Sequence, residues 1–155
     1  MGVRIRTATP ADFPILEIIR RQAVEAAYAD VYDRVLYADK VAKPDEHLAT
    51  WVESEEHLTL VAESDITPVA YLVIDRTTGQ LLHLYTSPDY VRRGYASELI
   101  NKIESTLADS GVAKLWAWSP IPALEFFTKV GFTRTDRNRT IDGMEQRYVE
   151  RPIAN

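Results

Sequence analysis

The densest chemistry in the chain lies at residues 84–97, which read Leu84-Tyr85-Thr86-Ser87-Pro88-Asp89-Tyr90-Val91-Arg92-Arg93-Gly94-Tyr95-Ala96-Ser97. A strand-like run ends at Pro88, two adjacent arginines follow, and a glycine and small residues open a helical pattern. The first N–H groups of a helix lack intrahelical acceptors and carry a partial positive charge, so they bind phosphate. Gly94 would let a diphosphate approach the backbone closely, and Ala96 would keep the next turn narrow. Arg92 and Arg93 could add charge-assisted hydrogen bonds of about 1.5–3 kcal/mol each if desolvated. The segment is not a P-loop, because no Gly-Lys-Ser/Thr follows, and it lacks the three-glycine spacing of a dinucleotide site. By residue type alone it also fits a glycine turn bearing two solvated arginines.

Two other stretches bear on that choice. Residues 123–132 read Ala123-Leu124-Glu125-Phe126-Phe127-Thr128-Lys129-Val130-Gly131-Phe132, and the chain opens with Ile5-Arg6-Thr7-Ala8-Thr9-Pro10-Ala11-Asp12. With Leu84-Tyr85-Thr86-Ser87-Pro88 and Val91-Arg92-Arg93-Gly94-Tyr95-Ala96, the sequence resembles the GNAT superfamily of acetyl-CoA-dependent N-acetyltransferases. Members carry Leu-Tyr-Val-x-Pro, then Arg/Gln-x-x-Gly-x-Gly/Ala, then Ala-x-x-Phe-Tyr-x-x-x-Gly-Phe. The resemblance covers nearly the whole chain and is sharp between about 80 and 132.

The resemblance implies an α/β fold of mixed (α+β) type. Its central sheet would be mostly antiparallel and flanked by helices, with a V-shaped cleft between the strand before the loop and the strand at 113–119. Pantetheine of acetyl-CoA would pair with the backbone of Leu84, Tyr85 and Thr86. Backbone N–H groups of Val91, Arg92, Arg93, Gly94, Tyr95 and Ala96, with Ser97, would hold the pyrophosphate. Ser119, Phe126 and Phe127 would complete the CoA site. The N–H near Leu84 would polarise the thioester carbonyl as an oxyanion donor. No metal is implied.

Three positions depart from the family pattern. Val91 stands where the loop usually has arginine or glutamine, a tolerable loss if backbone N–H groups carry most of the binding. Phe127 replaces a frequent tyrosine acid, whose help is worth about 10²–10⁴ in rate. A thiol ionises near about 8.5, so a thiolate can leave without it. Gln80 replaces a frequent glutamate; an amide takes no proton at neutral pH but can position water. His83, on the same strand, titrates near neutrality and is either a base or a structural strand residue. His47 and His57 have no assigned role.

The expected activity is transfer of an acetyl group to a primary amine, small-molecule or peptide, by direct attack in a ternary complex. Gln80 and Phe127 keep a second reading open, an acyl-CoA sensor of the same fold without turnover. Trp116 and Trp118 share one strand face, and Tyr28, Tyr32 and Tyr37 crowd the end of the first helix. They fit an acceptor pocket or ordinary packing. Arg134, Arg137 and Arg139 read as a solvated face.

Positioning these residues requires a particular order of elements. Val3 and Ile5 alternate with Arg4 and Arg6 as a first strand. Thr9-Pro10-Ala11-Asp12 starts a helix, with Thr9 as cap, on which Ile15, Ile18, Ile19, Gln22, Ala23 and Ala26 recur. A second helix is expected from Pro44 to about Glu53, burying Leu48, Trp51 and Val52. Strands follow at 58–63, 69–75 and 81–86. An amphipathic helix then buries Ala96, Leu99, Ile100, Ile103 and Leu107 and ends near Gly111. Next come a strand at 113–119, a short helix at 122–130, and a hairpin turning at Asp142-Gly143. The order β-α-α-β-β-β-α-β-α-β-β implies a mixed sheet with helices on both faces.

A length of 155 residues is expected to form one domain, 1–155, and suffices for a packed core. The chain has no cysteine, which removes disulfides and thiolate chemistry. Net charge of −5 disfavours nucleic acid and suits a cationic acceptor, or simply solubility. No signal-peptide pattern or membrane-length apolar run is visible, so the cytoplasm is the expected location, without a membrane partner. A homodimer is compatible with the sequence.

Overall fold

The computed structural model describes residues 3–28 and 45–153. Tyr32, Tyr37 and Pro44 lie outside the described residues. The elements are β1 (Arg4–Thr7), α1 (Phe13–Tyr28), α2 (Leu48–Glu53), β2 (His57–Ser64), β3 (Thr67–Asp75), β4 (Leu81–Thr86), α3 (Tyr95–Leu107), β5 (Lys114–Pro120), α4 (Leu124–Lys129), β6 (Thr133–Ile141) and β7 (Met144–Pro152). Over the described residues their order is the expected one, with α2 starting at Leu48.

Strands β1 to β4 form an antiparallel meander, and β5, β7 and β6 form a second antiparallel sheet with β7 in the middle. The two sheets meet at one parallel bridge, Gln80 with Trp116. The expected mixed sheet thus exists as two halves that touch at a point and part beyond it.

Both faces of the meander are covered, which is why β2 and β3 read as nearly continuous apolar runs. Leu60, Leu72 and Ile74 pack with Leu99, Ile100, Ile103 and Leu107 of α3 on one face. Val61, Tyr71 and Val73 pack with Leu16, Ile19 and Leu48 of α1 and α2 on the other. The apolar spacing of α1 is misleading at one position. Ile18 is 41% exposed, while the charged Glu17 and Arg20 are buried and pair at 3.2 Å. Asp12 opens this helix by accepting from the Thr9 N–H at 2.8 Å and from Arg6, after a 3-10 turn at Pro10–Asp12. Helix α3 stops at Leu107, before left-handed Gly111. No helix among the described residues is long and apolar enough to cross a membrane.

The contact point between the sheets depends on Gly79. Its φ is +79°, and a Cβ there would lie 2.1 Å from the Lys114 carbonyl oxygen and 2.8 Å from Val112 Cγ1. The Trp116 N–H donates to the Gly79 carbonyl at 3.1 Å, and the Trp116 indole donates to the Thr78 carbonyl at 3.0 Å. Only a glycine allows the two backbones to come this close.

Candidate active site

Backbone ladders determine which groups face the gap between β4 and β5. Tyr85 lies opposite Tyr71 and Leu84 opposite Leu72, and the Ser87 N–H donates to the Val69 carbonyl. Antiparallel pairs alternate between bonded and non-bonded positions. Tyr85 is therefore tied to β3, whereas the N–H and C=O groups of Leu84 and Thr86 point away from β3, toward the gap. The same reasoning holds for β5. Ile153 donates to the Ala113 carbonyl, and Ser119 lies opposite Arg147. Ser119 is thus tied to β7, while Trp116 and Trp118 turn their backbone groups toward β4. The Trp116–Gly79 bond already uses the first of these. A bulge at Leu82 completes the parting, since Val73 pairs with His83 and Ile74 with Leu81.

Beyond β4 the loop turns into α3. Arg92 (φ 64°) and Gly94 (φ 89°) are both left-handed. Gly94 is the N-cap residue, and no side chain caps the helix. The first intrahelical bond runs from Glu98 to the Gly94 carbonyl at 3.0 Å, so Tyr95, Ala96 and Ser97 present N–H groups that α3 itself does not use. A Cβ on Gly94 would meet nothing within 4 Å. The glycine is there for its backbone angle and for whatever approaches from outside. Arg93 lies over the Tyr90 ring at 5.1 Å, and Tyr90 meets Tyr95 edge-on at 6.1 Å. Val91 is 49% exposed.

The remaining expected CoA contacts divide. Phe127 is 4% exposed, packs against Phe132 at 5.0 Å and still lines the cleft. Phe126 belongs to the core fringe. Ser119 is fully buried and returns its hydroxyl to the Pro120 carbonyl at 2.8 Å. Its neighbours Trp118 and Pro120 line the cleft in its place.

The cleft measures about 780 Å³ and runs from β4 and β5 to the end of α1, residues 45–47 and the β6–β7 hairpin. Gln80, His83, Leu84 and Tyr85 all line it. His83 is 7% exposed and engaged at both ring nitrogens. Nε2 lies 2.9 Å from Asp45 Oδ2, and Nδ1 lies 2.9 Å from the Tyr71 hydroxyl. The other Asp45 oxygen accepts the His47 N–H at 2.8 Å, and the Asp45 N–H donates to Glu17 at 3.1 Å. Burial opposes ionisation of Asp45, but hydrogen bonds from His83 and His47 and the nearby Arg20 charge prevail and hold it at about 2. Facing the ionised Asp45, His83 donates through Nε2, while Nδ1 is taken up by the Tyr71 hydroxyl. Burial pushes the Tyr71 hydroxyl well above its ordinary value and Tyr85 up to about 12. Neither tyrosine is ionised at neutral pH.

The hairpin forms the outer wall. Met144 packs with Val24, Tyr28 and Tyr85, which joins the hairpin to α1 over β4. Two of its arginines are not simply solvated. Arg137 lies 4.4 Å from the Tyr148 centroid, and Arg139 lies 4.6 Å from that of Trp118. Trp116 stacks on Tyr148 at 5.6 Å, and Trp118 with Tyr148 forms the platform for the arginines. Asp45 and Arg139 carry no motif, and sequence reading missed Asp45 entirely. The β-alternation that put Trp118 and Trp116 on one face was the available hint, because Arg139 rests on Trp118 of that face. Among the described residues, no group of three His, Asp or Glu side chains is placed to hold a metal ion.

Comparison with solved structures gives the same architecture. The N-acetyltransferase PaiA from Thermoplasma acidophilum, solved with coenzyme A, superposes with a TM-score of 0.80 at 19% identity, covering 98% of this chain and 99% of that one. A GCN5-related N-acetyltransferase from Rhodopseudomonas palustris gives 0.83 at 23% identity, over 98% and 96%. An aminoglycoside 6'-N-acetyltransferase complexed with coenzyme A gives 0.70 at 13% identity, over 98% of each chain. No curated protein matches the chain. The family model described as the acetyltransferase (GNAT) domain matches residues 21–146. That span contains both motifs and every residue of the two parted strands, and the chain belongs to the GNAT acetyltransferase family.

Proposed function

We propose that the chain transfers an acetyl group from acetyl-CoA to a primary amine, small-molecule or peptide, by direct attack in a ternary complex. The observation that carries this reading is the pair of unpaired strand edges, Leu84 and Thr86 on one side and Trp118 on the other, opening beside the uncapped start of α3. An amide-bearing chain fits between such edges as a substitute strand. A pyrophosphate fits the N–H groups of Gly94, Tyr95, Ala96 and Ser97, with Arg92 and Arg93 nearby. The two neighbours solved with coenzyme A support that choice of ligand.

Acetyl-CoA would supply the activated thioester. The Leu84 N–H would then donate to the carbonyl oxygen as negative charge builds on it. His83 does not take the proton directly, because both ring nitrogens are engaged; it orients Asp45. Gln80 would hold the water that carries the amine proton away. Phe127 offers no proton, so the sulfur leaves as thiolate, which its acidity near about 8.5 permits. An amine of pKa about 10.4 is mostly protonated at pH 7, and turnover should climb with pH toward that value.

A second reading, an acyl-CoA sensor of the same fold, is favoured by the lack of an ionisable group at Gln80 and Phe127. A thiol-release assay over amines, N-terminal peptides and aminoglycosides separates the two. Release of CoA matched by an acetylated amine in the mass spectrum, rising with pH, is the expected result. Acetyl-CoA binding without release for any acceptor would establish the sensor.

A further inference from the structure

We propose that the acceptor carries a carboxylate as well as its amine, an amino acid or a close analogue, and that Arg139 is the residue that selects it. The inference rests on the acyl-transfer reading and narrows its acceptor.

Arg139 reaches the cleft from β6, on the hairpin wall. Its guanidinium lies over Trp118 at 4.6 Å, and its Nε donates to Gln146 Oε1 at 2.6 Å. The stack fixes the plane, and Gln146 occupies the Nε edge. The two Nη groups remain, a parallel pair of donors at the spacing of carboxylate oxygens. Among the described residues, no acid pairs with Arg139. Arg20, the other arginine lining the cleft, is matched with Glu17, and Arg137 beside it on β6 rests on Tyr148 and does not line the cleft. Burial lowers the Arg139 pKa with nothing to offset it. A half-buried cation held in place without a counter-ion gains most when an anion arrives.

Asp142 lines the hairpin side as well, and acid also lines the cleft across from it, where Arg20 is neutralised by Glu17. Asp45 is ionised there, and Glu46 lines the cleft beside it. A zwitterion fits this polarity, with its amine on the Asp45 side and its carboxylate at Arg139. A polyamine would place positive charge against Arg139 and gain nothing from it.

Matched acceptor sets test this on the wild-type protein. Lysine, lysinamide and 1,5-diaminopentane, and the common amino acids beside their amides, are compared by kcat/KM in the thiol-release assay. A free acid at least about 10-fold better than its amide supports the proposal, in line with one charge-assisted bond pair. Arg139→Gln should bring that ratio close to one, with acetyl-CoA binding checked by calorimetry as the control for folding, and Arg139→Lys should restore part of it. Amides or diamines that match or exceed the acids in the wild type overturn the inference and leave acyl transfer standing. An Arg139→Gln protein that keeps the full preference also overturns it. Bound acetyl-CoA with no release for any amine overturns both readings together.

Discussion

The two ends of the cleft are built from different material. The end at Leu84, Thr86 and Gly94–Ser97 is backbone: strand edges and helix N–H groups whose direction follows from register and from a left-handed glycine. The other end is side chain: Asp45, His83 and Tyr71 in one hydrogen-bonded line, with Arg139 on its tryptophan. The first needs a contiguous run of sequence, because backbone direction is set by neighbours in the chain. The second gathers residues from β3, β4, β5, the 45–47 segment and the β6–β7 hairpin, so no contiguous run of sequence specifies it. A shared cofactor and a divergent acceptor would produce this division.

Two glycines offer the sharpest way to break the comparison. Gly79 and Gly94 share a left-handed backbone, but only Gly79 faces atoms where a Cβ would go. Gly79→Ala should cost about 2–5 kcal/mol of stability, from the clash with Lys114 and the strained φ together. Urea unfolding reads this directly. A loss below about 1 kcal/mol would show that the two sheets do not depend on close contact at Gly79.

The side-chain end should be visible in acid. The carboxyl of Asp45 is lowered from 3.8 to about 2 on folding. A carboxyl depressed in the folded state stabilises above its unfolded pKa and loses that contribution as pH falls through the folded one. Asp45 should therefore contribute about 2 kcal/mol at neutral pH, lost between about pH 4 and pH 2. Asp45→Asn should flatten the stability profile in that window. An acid limb of unchanged slope would show that the Asp45–His83 bond is weaker than its 2.9 Å length implies.

The legible part of the molecule follows the same division. The order of elements could be read from periodicity, since β2, β3 and α3 bury apolar sets at regular spacing. Of the expected CoA contacts, Leu84 and Thr86 turn their backbone groups to the gap, and Tyr95, Ala96 and Ser97 present N–H groups that α3 does not use. Tyr85 and Ser119 do not offer their backbones, because ladder alternation commits them to β3 and β7, and one residue of register is invisible in a motif. The buried Glu17–Arg20 pair was hidden because charged residues normally mark the outer face of a helix, and Ile18 took their place in the expected stripe. The arginines of β6 looked solvated because nothing in their own strand reveals the aromatic platform supplied by β5 and β7.

Calorimetric titration of acetyl-CoA into the wild type and Gly94→Val tests the central claim most directly, that the cofactor end is a backbone-built site at the start of α3. The wild type should bind in the micromolar range, about −8 kcal/mol. The variant should keep its fold at a cost of about 1–2 kcal/mol for the left-handed backbone, since its Cβ meets no protein atom within 4 Å, yet give no binding heat. Equal affinity in the two proteins, or no heat from the wild type at millimolar acetyl-CoA, would contradict it.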